Sequence, residues 1–370
     1  MINRSRLVSL FEKLVATDSP SFREREMCDT VSGILKSLGV PPAEDDCAKK
    51  TGGNCGNLYA FIDGSLDLPP VLFSAHMDTV EPSHGKKMIL SENGVITSDK
   101  TTVLGADDCA GLAAILEALT VLKESGAEHR PFEILFTASE ETYCSGMKAF
   151  DVSRLKSKEA YVFDLSGPVG SAAYSAPTII GFKAVFSGRA AHAGFAPEDG
   201  IHAVKAAACA IAGISCGKVG VSTVNIGSVH GGTADNIIPD RCVVTGEIRS
   251  LSDVDARIQL ENVFHIMQSE ADILGASVEL QSTVSCTAYS TPTDHEVSMR
   301  FKSACKKLDL PLKLCETFGG SDNNCLAQHG IKGLVVATAM NNCHSTDEYT
   351  TVSELENAAN LALELMLSKE

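Results

Sequence analysis

The chain has 370 residues, 44% of them hydrophobic, enough to bury a large core and form one to three domains. With 31 basic and 47 acidic residues its formal net charge is −16, which argues against nucleic acid as a partner and suits a cleft that holds cations. No apolar run is long enough to cross a bilayer, so no membrane partner is expected; the thirteen cysteines include no C-x-x-C pair, so reduced thiols in a cytoplasmic chain are expected rather than disulfides or cysteine-held zinc.

Residues 1–20 (MINRSRLVSLFEKLVATDSP) pattern as an amphipathic helix with interspersed charges, unlike the uninterrupted apolar core of a signal peptide. Ser21 and Glu24 match a capping box and predict a helix running to Gly39. Residues 57–63 (NLYAFID) and 71–75 (VLFSA) read as strands, 110–124 as a helix stopping at Gly126, and 132–137 and 160–164 as further strands. This alternation predicts an α/β sheet with helices on its faces.

The texture changes near Pro177. Residues 178–187 alternate like a half-exposed strand, 200–214 form an alanine-rich helix, and strand-like runs at 222–229 and 241–248 follow. A helix over 252–274 capped by Ser252 and a strand over 276–283 complete the order β-α-β-β-α-β, a ferredoxin-like arrangement. Residues 178–290 are thus expected to be an inserted second domain between 1–177 and 291–370. Beyond it, 294–308 predict a helix, 333–339 a strand, and Ser353 with Glu356 a second capping box opening a helix that runs to the end.

Chemistry collects where these elements end. The run VLFSAHMDTV stops at His76-Met77-Asp78, and in open α/β sheets ligands sit at the carboxyl ends of strands. His-x-Asp suits a metal ligand with a carboxylate that fixes its ring. Asp107 and Asp108 precede a helix, Glu140-Glu141 follow a strand, Asp164 ends another, and the strand at 333–339 leads to His344. Singly, each is as readily a loop residue or, for one aspartate, a helix-terminal charge worth about 1 kcal/mol. Together they form the oxygen- and nitrogen-rich set that a pair of divalent ions takes, with a carboxylate such as Asp107 able to bridge them. One glutamate of the pair can bind metal while its neighbour accepts a proton from water.

In the order and spacing of these motifs the chain resembles the co-catalytic zinc metallopeptidase family that includes peptidase T, carboxypeptidase G, desuccinylases and aminoacylases, and looks closest to the peptidase T-like branch. The resemblance implies an α/β, three-layer zinc-peptidase catalytic domain with an inserted ferredoxin-like lid that forms homodimers in some relatives. It implies two divalent ions, zinc first, with cobalt or manganese as alternatives. His76, Asp164 and the bridging Asp107 match the ligands of one ion, and Asp107, Glu141 and His344 those of the other. Asp78 matches the carboxylate behind His76, Glu140 the general base, and the peptide after Asp107 is cis in the family. His192 in SGRAAHAG matches a lid histidine that reaches the scissile carbonyl oxygen, while Asn236, Arg249, Gly320 and Ser321 match positions facing substrate.

The implied activity is hydrolysis of short peptides from the amino end by a water that two zinc ions activate, with Glu140 as base. An N-acyl-amino-acid deacylase or a carboxypeptidase is the alternative, and a non-catalytic metal- or peptide-binding homologue a third reading, disfavoured because the base and every ligand are present. Cys109 stands where many relatives carry lysine, and Phe318 where peptidase T carries an arginine suited to a terminal carboxylate. A nucleotide enzyme would need a glycine-rich loop leading into Lys-Ser or Lys-Thr, which the chain lacks.

Overall fold

Every residue of the strand Val71–His76 is buried, the pattern of a strand in a sheet covered on both faces. The computed structural model, which describes residues 1–369, sets this strand between two parallel neighbours, Phe132–Thr137 and Glu159–Ser166. Lys332–Met340 extends the parallel set beside Glu159–Ser166. Antiparallel strands border this core, Leu58–Ile62 against Phe132–Thr137 and Ser171–Ala176 against Lys332–Met340, within a sheet of nine strands.

The helix Ala106–Ser125 packs on the sheet beneath Arg4–Val15 and Val352–Leu367. It is apolar around nearly its whole circumference, as an internal helix must be. Its buried charge, Glu117, accepts hydrogen bonds from Arg6 Nε at 2.7 Å, Arg6 Nη2 at 2.9 Å and the Asn3 N–H at 2.9 Å.

By packing, the chain forms two units: Met1–Ser175 with Ser290–Thr317 and the residues from Ser321 onward, and Ala176–Tyr289 with Phe318–Gly320. The second unit is an antiparallel sheet ordered Gly217–Val219, Ser222–Gly231, Arg241–Ser250, Thr178–Ser187, Ser277–Cys286. Ile180, Phe182, Ala184 and Phe186 alternate inward from Thr178–Ser187 against the helices Ala203–Gly213 and Asp253–Ile273. Gly246 is required here, since a Cβ would lie 2.3 Å from Phe182 Cζ.

Local signals misplaced two helix starts. The second helix is Arg25–Ser37 and has no side-chain cap; Ser21 Oγ instead donates to Asp78 Oδ2 at 2.7 Å, and Glu24 accepts from Ser139 Oγ at 2.6 Å. The last helix is capped by Thr351, whose side chain accepts from the Glu354 N–H, and ends at Leu367; Glu356 pairs with Arg4 instead. At the first start a tertiary partner outcompetes the local hydrogen bond; at the second, a cap two residues earlier replaces Ser353. Residue 370, where the predicted helix was to end, lies outside the described residues.

Arg6→Ala leaves the Glu117 carboxylate buried without its cation and should lower stability by about 3 kcal/mol. Adding Glu117→Leu should recover part of that loss in urea unfolding; a double variant as unstable as the single would contradict this reading.

Candidate active site

Sheet register delivers the first three components. His76 pairs with Thr137, and Ser74 with Val162 two residues before Asp164, so the strand ends carrying His76, Glu140 and Asp164 lie side by side. Past Thr137 the chain turns through Ser139 at φ 53°, which brings Glu140 and Glu141 back over the strand ends. Asp107 follows Gly105, whose φ of 76° sends the chain into the helix, and the Asp107–Asp108 peptide is cis. His344 comes off Lys332–Met340 through a segment with positive φ at Ala339, Asn342 and His344 itself. Such conformations in non-glycine residues cluster at functional sites because the surroundings must enforce them.

The groups converge on Asp107. One of its oxygens, Oδ1, lies 3.0 Å from His76 Nε2, and the other, Oδ2, lies 3.3 Å from His344 Nε2. His344 Nε2 is also 3.0 Å from Glu141 Oε2, and His76 Nε2 is 3.8 Å from Asp164 Oδ1. His76, Asp107 and Glu141 can direct ligand atoms to within 4.8 Å of one another, as can His76, Glu140 and Asp164. Glu141 Oε1 is buried without a hydrogen-bond partner, an orphan acceptor that a cation would satisfy.

Behind this set stands Asp78, fully buried. It accepts the Glu140 N–H at 2.8 Å, the Glu141 N–H at 3.1 Å and the Ser21 hydroxyl at 2.7 Å, and its Oδ1 lies 3.3 Å from His76 Nδ1. One carboxylate therefore orients a histidine and both glutamates.

The electrostatics are those of a site with too much negative charge. Burial, reinforced by neighbouring carboxylates, pushes Glu140, Glu141 and Asp164 above the ordinary range. Asp107 is held low, because its hydrogen bonds to His344 and His76 outweigh burial. His76 is raised against the effect of burial by Asp107 and Asp78, and His344 is raised to about 10 by Asp107 and Glu141.

Sequence reasoning missed several supporting residues. Glu348, buried and pushed up to about 7 by burial, accepts the Gly105 N–H at 2.6 Å and the Asp107 N–H at 2.9 Å, pinning the loop that presents Asp107. The adjacent acids Asp347 and Glu348, just beyond His344, were the available signal. Asp322 is buried, accepts from Thr137 Oγ1 at 2.5 Å, and is raised to about 6 by burial. Near buried Cys109, positive charge comes from Lys86, a buried ammonium that donates to Thr17 O at 3.2 Å and Thr79 Oγ1 at 3.3 Å. Nothing in the sequence near Cys109 signals this charge, which comes from a residue 23 positions earlier.

The remaining predicted residues belong mostly to the second unit. His192 is exposed, its Nδ1 accepting the N–H groups of Gly194 and Phe195 at 3.1 and 3.2 Å, and exposed Asn236 accepts the Ala193 N–H through its main-chain carbonyl at 2.9 Å. Arg249 is engaged by Glu247 at 2.6 Å and by the Phe318 carbonyl at 2.6 Å. At Gly320 a Cβ would lie 2.8 Å from Cys286 Sγ. Ser321, in the first unit, caps the helix Asp322–Gln328, its N–H donating to Asn324 Oδ1 at 3.0 Å.

This fold with an acidic, histidine-bearing cluster at its strand ends is that of a hydrolase. The sequence pattern of peptidase family M20/M25/M40 matches residues 72–368, and the chain belongs to that family. It is 35% identical over 367 residues to the uncharacterised protein YqjE of Bacillus subtilis strain 168, an alignment that covers 99% of each chain. Among solved structures, aminopeptidase PepT from Bacillus cereus ATCC 10987 is 36% identical, with a TM-score of 0.93 over 99% of this chain and 98% of that one. A tripeptidase from Staphylococcus aureus subsp. aureus Mu50 is 31% identical, with a TM-score of 0.96 and the same coverage.

The raised groups set the sign of the pH dependence in protein kept free of divalent ions. Stability from His344 is complete below its ordinary 6.5 and is lost as pH rises through about 10. Glu348 acts in the same direction, its contribution complete below 4.5 and lost through about 7. The thermal midpoint should therefore fall from about pH 6 to about pH 9, and a flat or rising profile in chelator would refute the assignment.

Proposed function

We propose that the chain is a two-metal aminopeptidase of short peptides, with zinc as the ion. The observation that carries this reading is Asp107, which offers one oxygen beside His76 and the other beside His344. His76 and Asp164 would hold one ion, Glu141 and His344 the second, and Asp107 both. The donor set fits: nitrogen and carboxylate oxygen without thiolate, in a buried cluster with an orphan acceptor on Glu141. When bound, such ions acidify water and polarise a carbonyl.

The protein's own groups manage the proton. Glu140, buried and raised above the ordinary carboxylate range, is the base that takes a proton from the attacking water and returns it to the leaving amine. Asp78 holds the Glu140 main chain and the His76 ring, so the base and one ligand keep a fixed separation. In the second unit, read as a lid over 178–290, His192 would donate to the carbonyl oxygen and Asn236 and Arg249 would contact substrate, as would Gly320 and Ser321 outside that range. A homodimer through that unit and a cytoplasmic location accompany this reading. Amino-end cleavage follows the names of the similar aminopeptidase and tripeptidase; Phe318, in place of a carboxylate-binding arginine, directs attention to substrates with blocked carboxyl ends.

Glu140→Gln should lower kcat for a free-amino tripeptide by about 10³-fold while two ions remain bound; wild-type turnover would exclude Glu140 as the base. His76→Ala should lower the metal content measured by elemental analysis, and an unchanged stoichiometry would remove it from the ligands. Chelation should abolish hydrolysis, with recovery on adding zinc, cobalt or manganese. Faster cleavage of N-acyl amino acids than of free-amino peptides would instead make the chain a deacylase.

A further inference from the structure

Cys144 closes on the Glu140 carboxylate. Its Sγ lies 3.3 Å from Glu140 Oε1, and its N–H donates to the Glu140 main-chain carbonyl at 2.7 Å. The thiol is buried, and Glu140, Cys144 and Asp322 can bring their polar atoms within 4.8 Å of one another. Asp322 is itself anchored to Thr137 on the strand Phe132–Thr137. The thiol thus sits between the base and a carboxylate fixed to the sheet.

The backbone is bent to put it there. Tyr143 and Cys144 adopt φ values of 61° and 58°, consecutive left-handed residues in which glycine would be at ease. Two residues on, inside the short helix Ser145–Ala149, close packing excludes a side chain: a Cβ at Gly146 would lie 2.0 Å from the Ala138 carbonyl oxygen. A non-glycine residue retained in that unfavourable conformation, with its side chain on the base, points to a role for the side chain.

We infer that Cys144 is a positioning residue for the reaction: it clamps Glu140 at both the main chain and the carboxylate, so the base faces the attacking water in one rotamer. The inference rests on the reading of Glu140 as general base. Rotamer restriction by a supporting hydrogen bond acts on the bound complex, so it affects turnover rather than substrate affinity.

The test uses the full chain loaded with zinc and a free-amino tripeptide, comparing Cys144→Ala, Cys144→Gly and Cys144→Ser. Glycine suits the left-handed φ, so Cys144→Gly removes the thiol without adding strain. Cys144→Ala and Cys144→Gly should each lower kcat about tenfold, with KM and bound zinc unchanged. Cys144→Ser, which keeps a donor, should restore most of kcat. In a Glu140→Gln background, Cys144→Ala should cause no further loss. Wild-type kcat in both thiol-free variants, an equal loss in Cys144→Ser, or a fall in bound zinc would overturn the inference. Inactivity of Glu140→Gln alongside full activity of Cys144→Ala would remove only the role of Cys144. Full activity of Glu140→Gln would remove the base and the inference together.

Discussion

A buried carboxylate with its acceptor positions taken up by donors from separate segments organises this protein's functional end. Asp78 receives the N–H groups of Glu140 and Glu141, the Ser21 hydroxyl, and stands beside the His76 ring. Those donors come from the loop after Phe132–Thr137, from the segment before the second helix and from the strand that Asp78 itself follows. A carboxylate this buried is tolerable only when its oxygens are hydrogen-bonded. The requirement locks the segments together, so the positions of the base and one histidine are consequences of satisfying Asp78.

The same logic in reverse governs the front of the site. Asp107, Glu140, Glu141 and Asp164 crowd the buried His76 and the more exposed His344, and most of the carboxylates are pushed toward their neutral forms. Such an arrangement is unfavourable in an empty protein and favourable around divalent cations, which the proposed mechanism places there. Glu348 secures the loop that carries Asp107 by accepting that loop's N–H groups, and Lys86 places positive charge near Cys109. The acidic set and its supports form one electrostatic unit.

Strand ends were legible because their pattern is local: a short apolar run that stops at His76-Met77-Asp78, or at Glu140-Glu141, has few other uses in a buried sheet. Capping boxes were misleading for the opposite reason. Ser21 and Ser353 have the right neighbours in sequence, but Asp78 claims the first and Thr351 takes the place of the second. Short peripheral strands such as Lys313–Glu316, and Ser171–Ala176 on which it pairs, carry little periodicity and acquire their conformation from the neighbours they pair with.

By itself the sequence determined the alternation of elements, the ferredoxin-like order of the second unit and the residues that arrive at the strand ends, because periodicity and strand-end chemistry are written in adjacent positions. Tertiary structure alone decided which groups share a partner: that Asp107 faces both histidines, that Asp78 holds the glutamates, that Glu348 pins the Asp107 loop and that Cys144 closes on Glu140. Apart from Cys144 and Glu140, four positions apart, these contacts join residues tens to hundreds of positions apart. Only the register of parallel strands and the competition for buried hydrogen bonds brings them within reach.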